Sequence, residues 1–244
     1  MIADPASLEI LAVLFLATFI RSAFGFGEAL VAVPLLALIL PVNVAAPVAV
    51  LVSITVAAVV LAQDWRQVHF RSAGRLVLAT LAGAPFGLLL LTAVPPEVVK
   101  AILAVVIVAF STYFLAARGR AALDSDRPAW LFGFAAGVLG GAYGMNGPPL
   151  VIFGSLRRWS PQQFRATLQG YFLPASIVVM AGYWLAGLWT PPVTHYYLTA
   201  LPAIAAAILL GRAANRRMES RAFLIYVHAG LVMTGATLFI QSIG

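Results

Sequence analysis

The sequence predicts an all-α membrane protein made of two inverted-topology repeats. Each repeat is expected to contain a short-helix pair, as a hairpin or a broken helix, followed by three full transmembrane helices. Three observations support this fold class: an apolar composition, a motif that recurs 119 positions later, and loop charges that alternate in opposite order in the two halves. Of the 244 residues, 62% are hydrophobic and only 9% are charged. A soluble domain carries roughly a quarter charged residues, so most of this chain requires lipid as its solvent.

The composition also excludes several functional classes. The net charge of +7 is distributed between apolar runs, as in cytoplasmic loops, and predicts no nucleic-acid partner. The chain has no cysteine, and its three histidines, His69, His195 and His228, are widely separated. No phosphate-binding loop or dinucleotide fingerprint is present. We therefore expect no metal, no cofactor and no enzymatic activity, while the oligomeric state is left open.

Six apolar runs are long enough to cross a bilayer, which requires about 20 residues per helix. They cover residues 43–63, 72–93, 97–117, 162–188, 193–211 and 222–242. A polar linker, 118–127, separates the first three runs from the last three. It divides the chain into a first repeat, 1–117, and a second repeat, 128–244.

Each half opens with apolar sequence that a glycine-rich motif interrupts. Residues 7–40 are interrupted at 25–28, and residues 128–157 at 140–149. Each flank has only about 10–16 residues, which predicts two short helices that meet at a glycine-rich tip. Backbone freed by such a break is tolerated at membrane depth only where protein or a cavity covers it.

The two halves resemble each other in sequence. A shift of 119 positions places residues 23–27, Ala-Phe-Gly-Phe-Gly, over residues 142–146, Ala-Tyr-Gly-Met-Asn. The same order of apolar runs follows both motifs, which indicates an internal duplication.

Loop charges predict that the two copies lie in opposite orientations. In the first half, the loop near 41–43 is uncharged and the loop 64–75 is basic, whereas in the second half the loop 157–165 is basic and the loop 188–192 is uncharged. The basic residues concerned are Arg66, Arg71, Arg75, Arg157, Arg158, Arg165, Arg212, Arg216, Arg217 and Arg221. Arginine-rich loops face the cytoplasm, so the linker is expected to be cytoplasmic and both termini extracytoplasmic, in a multi-pass protein of the inner (plasma) membrane.

The two glycine tips are the predicted binding site for a small anion. In an inverted repeat, the substrate site lies near the midplane where the repeats meet. The second helix of each pair begins at its tip, and a helix N-terminus attracts anions. The candidate residues are Arg21, Gly25, Phe26, Gly27, Glu28, Tyr143, Gly144, Met145, Asn146, Gly147, Pro148 and Gln169. Close helix packing through the small residues, and a plain ion pair between Arg21 and Glu28, are the alternatives.

Both glycine motifs also carry a family resemblance. Residues 21–27, Arg-Ser-Ala-Phe-Gly-Phe-Gly, and residues 137–149, Gly-Val-Leu-Gly-Gly-Ala-Tyr-Gly-Met-Asn-Gly-Pro-Pro, resemble the TauE/SafE family of sulfite and organosulfonate exporters. The resemblance covers nearly the whole chain and implies export of sulfite, sulfoacetate or another sulfonate. Members of that family usually have a small residue where this chain has Glu28.

These observations lead to a functional hypothesis. We expect a secondary transporter that exports a small sulfur oxyanion by alternating access, with Glu28 as the candidate for proton coupling. Its partners are the anionic substrate and the lipid bilayer. An anion channel, or a transporter of another small anion such as a carboxylate, is the alternative.

Overall fold

The computed structural model is all-helical in the part of the chain that it describes. The described residues are 5–64, 69–116, 123, 125–215 and 220–243, and they contain ten helices and no strand. Most of the predicted linker lies outside them, as do Arg66, Arg216 and Arg217. The side chain of Arg221 is likewise outside the description.

Five helices form the first half of the described chain. They are α1 (Pro5–Phe24), α2 (Glu28–Leu36), α3 (Val42–Asp64), α4 (Phe70–Ala93) and α5 (Pro96–Ala116). The prediction of two short helices before α3 is half wrong, because α1 has 20 residues and only α2, with nine, is short. Helix α1 ends at the glycine motif as expected, but it begins at Pro5, which makes it longer than the 10–16 residues that the sequence predicted.

Five further helices form the second half. They are α6 (Ala129–Tyr143), α7 (Gly147–Leu156), α8 (Pro161–Leu185), α9 (Pro191–Asn215) and α10 (Ser220–Ile243). The short pair predicted here is present, with 15 residues in α6 and 10 in α7.

The length and surface of the helices identify a multi-pass membrane protein. Six helices are long and apolar enough to cross a bilayer in the described residues: α1, α3, α4, α5, α8 and α9. The 24-residue α10 is the sixth span that the sequence predicts. Large apolar side chains on the outside of the bundle, such as Leu131, Leu185 and Met233, are at least 70% exposed, which suits a surface in contact with lipid tails.

Helices α4, α6 and α8 run in the same direction. Along α4, Thr80 lies against Gly137 of α6 and Leu88 lies against Gly141. Thr80 also shares a hydrogen bond of 2.6 Å with Tyr171 of α8, and Leu88 approaches Gly182 further along α8. We call the end of the bundle where these three helices begin the linker end, and the other the opposite end.

Helices α6 and α7 form a re-entrant hairpin with its base at the linker end. Asp126, just before α6, and Arg157, just after α7, form an ion pair with charged atoms 3.0 Å apart. The rings of Phe132 and Phe153 are 5.4 Å apart between the two helices. Since α6 enters and α7 leaves at the same end, this pair is a hairpin and not a broken spanning helix.

Helices α1 and α2 bring their tip in from the opposite end. Gly25 lies against Arg165, in the second turn of α8 and therefore near the linker end. The chain then reverses through Gly25 and Gly27, whose φ angles of 88° and 98° suit glycine. It returns through α2 to the start of α3. There Ala46 lies against Gly144, the tip of the other hairpin.

Contacts between the two halves occur in matched pairs. Gly25 lies on Arg165, and Gly144 lies on Ala46, so a shift of 119 positions converts each pair into the other.

Two more sets of contacts match in the same way. Here the shift is 119 positions between α1 and α6, and 124 positions for the later helices. Gly211 of α9 lies against Phe19 and Ala23, as Gly87 of α4 does against Val138 and Ala142. Helices α5 and α10 cross with Ser111 hydrogen-bonded to His228 at 3.3 Å and with Gly235 against Ala104.

The α4–α6 interface gives a prediction about stability. A Cβ atom on Gly137 would lie 2.6 Å from the Thr80 carbonyl oxygen, so Gly137→Ala forces two backbones apart and should destabilise the protein by about 1–3 kcal/mol. Gly74→Ala is the control, because its Cβ meets nothing within 4 Å. Thermal unfolding in detergent should show a lower midpoint for Gly137→Ala only. Equal midpoints for the two variants would contradict a close-packed interface.

Candidate functional site

Arg21 is the centre of a buried polar cluster between the hairpins. Its side chain is only 3% exposed, and it forms a salt bridge with Glu28, the first residue of α2. It also donates hydrogen bonds to Ser53 of α3 at 2.7 Å and to Gln169 of α8 at 2.8 Å. The guanidinium carbon lies 4.7 Å from the ring centre of Phe172. Arg21 therefore connects four helices.

The hydrogen-bond partners of Arg21 are themselves fixed by further hydrogen bonds. The amide nitrogen of Gln169 donates to the Gly25 carbonyl at 2.9 Å, which ties α8 to the tip of the first hairpin. Ser176 donates to Ser53 at 3.2 Å. Because these partners fix both sides of the guanidinium, its position is set before any ligand binds.

The N-terminus of α2 is uncapped and faces this cluster. Gly27 occupies the cap position and provides no side-chain hydrogen bond. The first bond inside the helix runs from the Val31 amide to the Gly27 carbonyl, at 3.0 Å. The amide groups of residues 28–30 therefore have no acceptor within the helix and can donate to an anion.

The N-terminus of α7 offers fewer donors than the sequence suggested. Asn146 caps it without a side-chain hydrogen bond, and prolines follow at positions 148 and 149. Proline has no amide hydrogen, so Gly147 is the one early residue of α7 that can donate to a ligand. The two tips are thus chemically unequal.

A small cavity lies between the two tips. Its volume is about 20 Å³, which is enough for a water molecule and too small for a sulfonate. Its lining residues are Arg21, Phe26, Gly27, Glu28, Ala29, Leu30, Ser53, Phe110, Gly144, Asn146, Gly147, Pro148 and Phe172.

Eight of the twelve candidate residues line this cavity. Gly25 and Gln169 lie just behind the lining and bond to each other. The other two lie outside it. Tyr143 is buried and donates its hydroxyl hydrogen to the Val99 carbonyl at 2.9 Å, and Met145 is packed in the apolar core.

Besides Ala29 and Leu30, which directly follow Glu28, sequence reasoning missed three lining residues: Ser53, Phe110 and Phe172. Each lies in the middle of an apolar run that resembled an ordinary span. A buried hydroxyl such as that of Ser53 was the available signal, since polar side chains at membrane depth are seldom without a partner.

Two buried polar atoms in the cluster have no hydrogen-bond partner. They are Arg21 Nε and Glu28 Oε1, on side chains that are 3% and 2% exposed. A buried donor or acceptor without a partner costs free energy. These two atoms therefore remain available to bind polar atoms of a ligand. In the described part of the chain, no three His, Cys, Asp or Glu side chains come together to hold a metal ion.

Comparison with known protein families identifies the chain. The model of the family described as sulfite exporter TauE/SafE matches residues 10–238. The chain belongs to the TauE/SafE family. This confirms the resemblance inferred from the glycine motifs, and the family is one of membrane exporters. Comparison with curated proteins and with solved structures gave no match.

The double role of Gln169 gives a second prediction. Gln169→Leu leaves both an Arg21 N–H and the Gly25 carbonyl without a partner, and should destabilise the protein by about 1–3 kcal/mol per buried unsatisfied group. Gln241→Leu is the control, since Gln241 is exposed and accepts a hydrogen bond from Lys100 on the surface. Thermal melting should separate the two variants. If Gln169→Leu melts like the wild type, the bonds on Arg21 are not structural.

Proposed function

We propose that this protein is a secondary transporter that exports a small sulfur oxyanion, such as sulfite, sulfoacetate or another sulfonate, by alternating access. The observation that carries the proposal is the buried guanidinium of Arg21, which lies beside the uncapped N-terminus of α2 in a cavity between two hairpin tips. An arginine and free backbone amides are the groups that bind oxyanions in proteins.

The chemistry of a sulfonate fits these donors. Its tetrahedral oxygens accept several N–H groups at once, so one oxygen can take an Arg21 hydrogen while others face the amides of α2. The phenyl ring of Phe172, already stacked near Arg21, provides apolar surface for a carbon chain.

The size of the cavity supports alternating access. At about 20 Å³ it cannot hold a sulfonate in its present form, so the ligand enters only when the hairpins move apart. A site that must enlarge before it can load is characteristic of a transporter, whereas a channel requires a continuous pathway.

The contact pattern supports an inverted repeat, with a first repeat at 1–117, a linker at 118–127 and a second repeat at 128–244. Helix α8 runs parallel to α4, whereas α3, its counterpart in the first repeat, runs opposite to α4. Each hairpin tip lies on the first long helix of the other repeat, through Gly25 and Gly144. Exchanging these equivalent contacts would close one side as it opens the other.

Arginine distribution supports placing the linker end in the cytoplasm of a plasma-membrane protein. Arg71, Arg75, Arg157 and Arg158 all lie at the linker end, while the turn 188–190 at the opposite end has no charge. Both termini are then extracytoplasmic, and the substrate leaves from the linker end towards the opposite end.

Removal of the central charge tests the proposed function. The double variant Arg21→Ala with Glu28→Ala removes both charges, so no unpaired buried carboxylate remains. Loss of two charge-assisted bonds of about 1.5–3 kcal/mol each should weaken binding of sulfite and sulfoacetate at least about 100-fold. Arg71→Ala, at an exposed position in α4, should behave as wild type.

The measurement is efflux of each anion from proteoliposomes, with a thermal-shift panel that includes sulfate and carboxylates. Saturable efflux that is stimulated by anion on the far side identifies a transporter. Flux that neither saturates nor shows counter-exchange would indicate a channel, and a shift with carboxylates alone would indicate a different substrate. Unchanged efflux in the double variant would remove Arg21 from the mechanism.

The orientation of the repeats gives a further prediction. Asn43, at the start of α3, and Ser160, just before α8, are both exposed and occupy corresponding places in the two repeats. Because the chain has no cysteine of its own, Asn43→Cys and Ser160→Cys can be labelled singly with a membrane-impermeant thiol reagent in intact cells. We expect labelling of Asn43→Cys only. Labelling of both from one side would contradict the inverted arrangement.

A further inference from the structure

We propose that the Glu28 carboxylate is a tethered occupant of the anion site, and that each substrate anion binds together with one proton that neutralises Glu28. This inference rests on the proposed function, since it concerns how that site is loaded. It makes proton coupling a consequence of the site's charge balance.

The position of Glu28 is that of a bound anion. Its Oε2 accepts a hydrogen from Arg21, and it is the first residue of α2, so the carboxylate lies at the positive end of the helix dipole. Its Oε1 is buried and unpartnered, as is Arg21 Nε. A substrate oxyanion would require the same guanidinium and the same amides, so the two anions compete.

The net charge of the site decides in which states it can close inside the membrane. Without substrate, Arg21 and ionised Glu28 sum to zero. With a monovalent substrate, the sum is zero only if Glu28 has taken a proton. The other two states, ionised Glu28 with substrate and protonated Glu28 without it, leave a net charge at membrane depth. An uncompensated buried charge costs several kcal/mol, so the closed forms of these states are rare.

No other titratable group takes the place of Glu28 among the described residues of the packed helices. From α1 the facing group is Arg21, and α3, the tip before α7, and α8 provide the neutral side chains of Ser53, Asn146 and Gln169. On α10 and α5, His228 is separated from the cavity by Phe110, whose ring it meets at 5.7 Å.

The other charged groups on these helices lie further out, including Glu9 of α1 and Lys100 of α5. Arg165 lies beyond Gly25, towards the linker end, and Glu97 of α5 is exposed at the opposite end. The proton that balances the substrate therefore resides on Glu28. It comes from water on the open side and is released to the other side with the anion.

The first test uses methanesulfonate, whose own charge does not change over the working pH range. Its affinity for the wild type, measured by calorimetry in detergent, should rise up to about tenfold per pH unit of acidification, because one proton binds with each anion. Glu28→Gln should bind at least as tightly as the wild type at low pH, with no pH dependence. Glu97→Gln, a matched change at an exposed glutamate, should keep the wild-type profile.

Each outcome of this test has a definite meaning. A wild-type profile that is flat, or a Glu28→Gln profile that still follows pH, overturns the coupling while leaving the anion site in place. Loss of binding in Glu28→Gln, with a normal thermal melt, also overturns it. If methanesulfonate binds neither protein at any pH, the proposed function itself fails.

The second test separates exchange from net transport. In Glu28→Gln the loaded site is neutral but the unloaded site keeps the charge of Arg21, so the variant should still exchange methanesulfonate across proteoliposomes. Its net efflux should fall at least about tenfold. Wild-type net efflux should be insensitive to an imposed membrane potential and should respond to a pH gradient. Voltage-driven wild-type flux, or net efflux retained by Glu28→Gln, would overturn the proposal.

Discussion

The buried ion pair of Arg21 and Glu28 is the interaction around which the two halves of this protein are organised. It joins the end of α1 to the start of α2, and its hydrogen bonds extend to α3 and α8. Such a pair gives little net stability, because desolvation of both charges offsets their attraction, yet breaking it costs about 3–5 kcal/mol. The pair is therefore better explained by its effect on charge, because it keeps the site neutral inside the membrane.

The glycine contacts bring the helices close enough for this cluster to form. Helix α6 lies against α4 through glycines on both helices, and Gly211 sets α9 on α1 in the same way. In lipid, small residues allow such close approach, and packing rather than the hydrophobic effect holds helices together. Because both interfaces join one half of the chain to the other, the same contacts that stabilise the bundle also determine how the hairpins can move against it.

Sequence alone predicted the membrane class, the family and six of the seven long helices. Ten of its twelve candidate residues lie in or beside the cavity, and their role in binding stays a prediction. The prediction failed where the local sequence pattern contains no information about the structure. Nothing in an apolar run says where α1 begins relative to the bilayer, so its length was underestimated. Tyr143 was chosen by its place in a motif, but its hydroxyl faces Val99. Ser53 was missed because its partner, Arg21, is 32 residues away along the chain.

In the proposed duplication, the backbone contacts are matched but the chemical symmetry is lost. At a shift of 119 positions, Arg21 corresponds to Gly140, and Gln169 corresponds to Val50. The glycine contacts remain matched because each depends on backbone approach, which only small residues permit. Two symmetric arginines near one cavity would repel each other and would require two counter-anions. One charged tip and one neutral tip instead allow the site to be neutral with a single anion. Under the proposed function, the loss of symmetry therefore makes a single-substrate site between the two halves electrostatically stable.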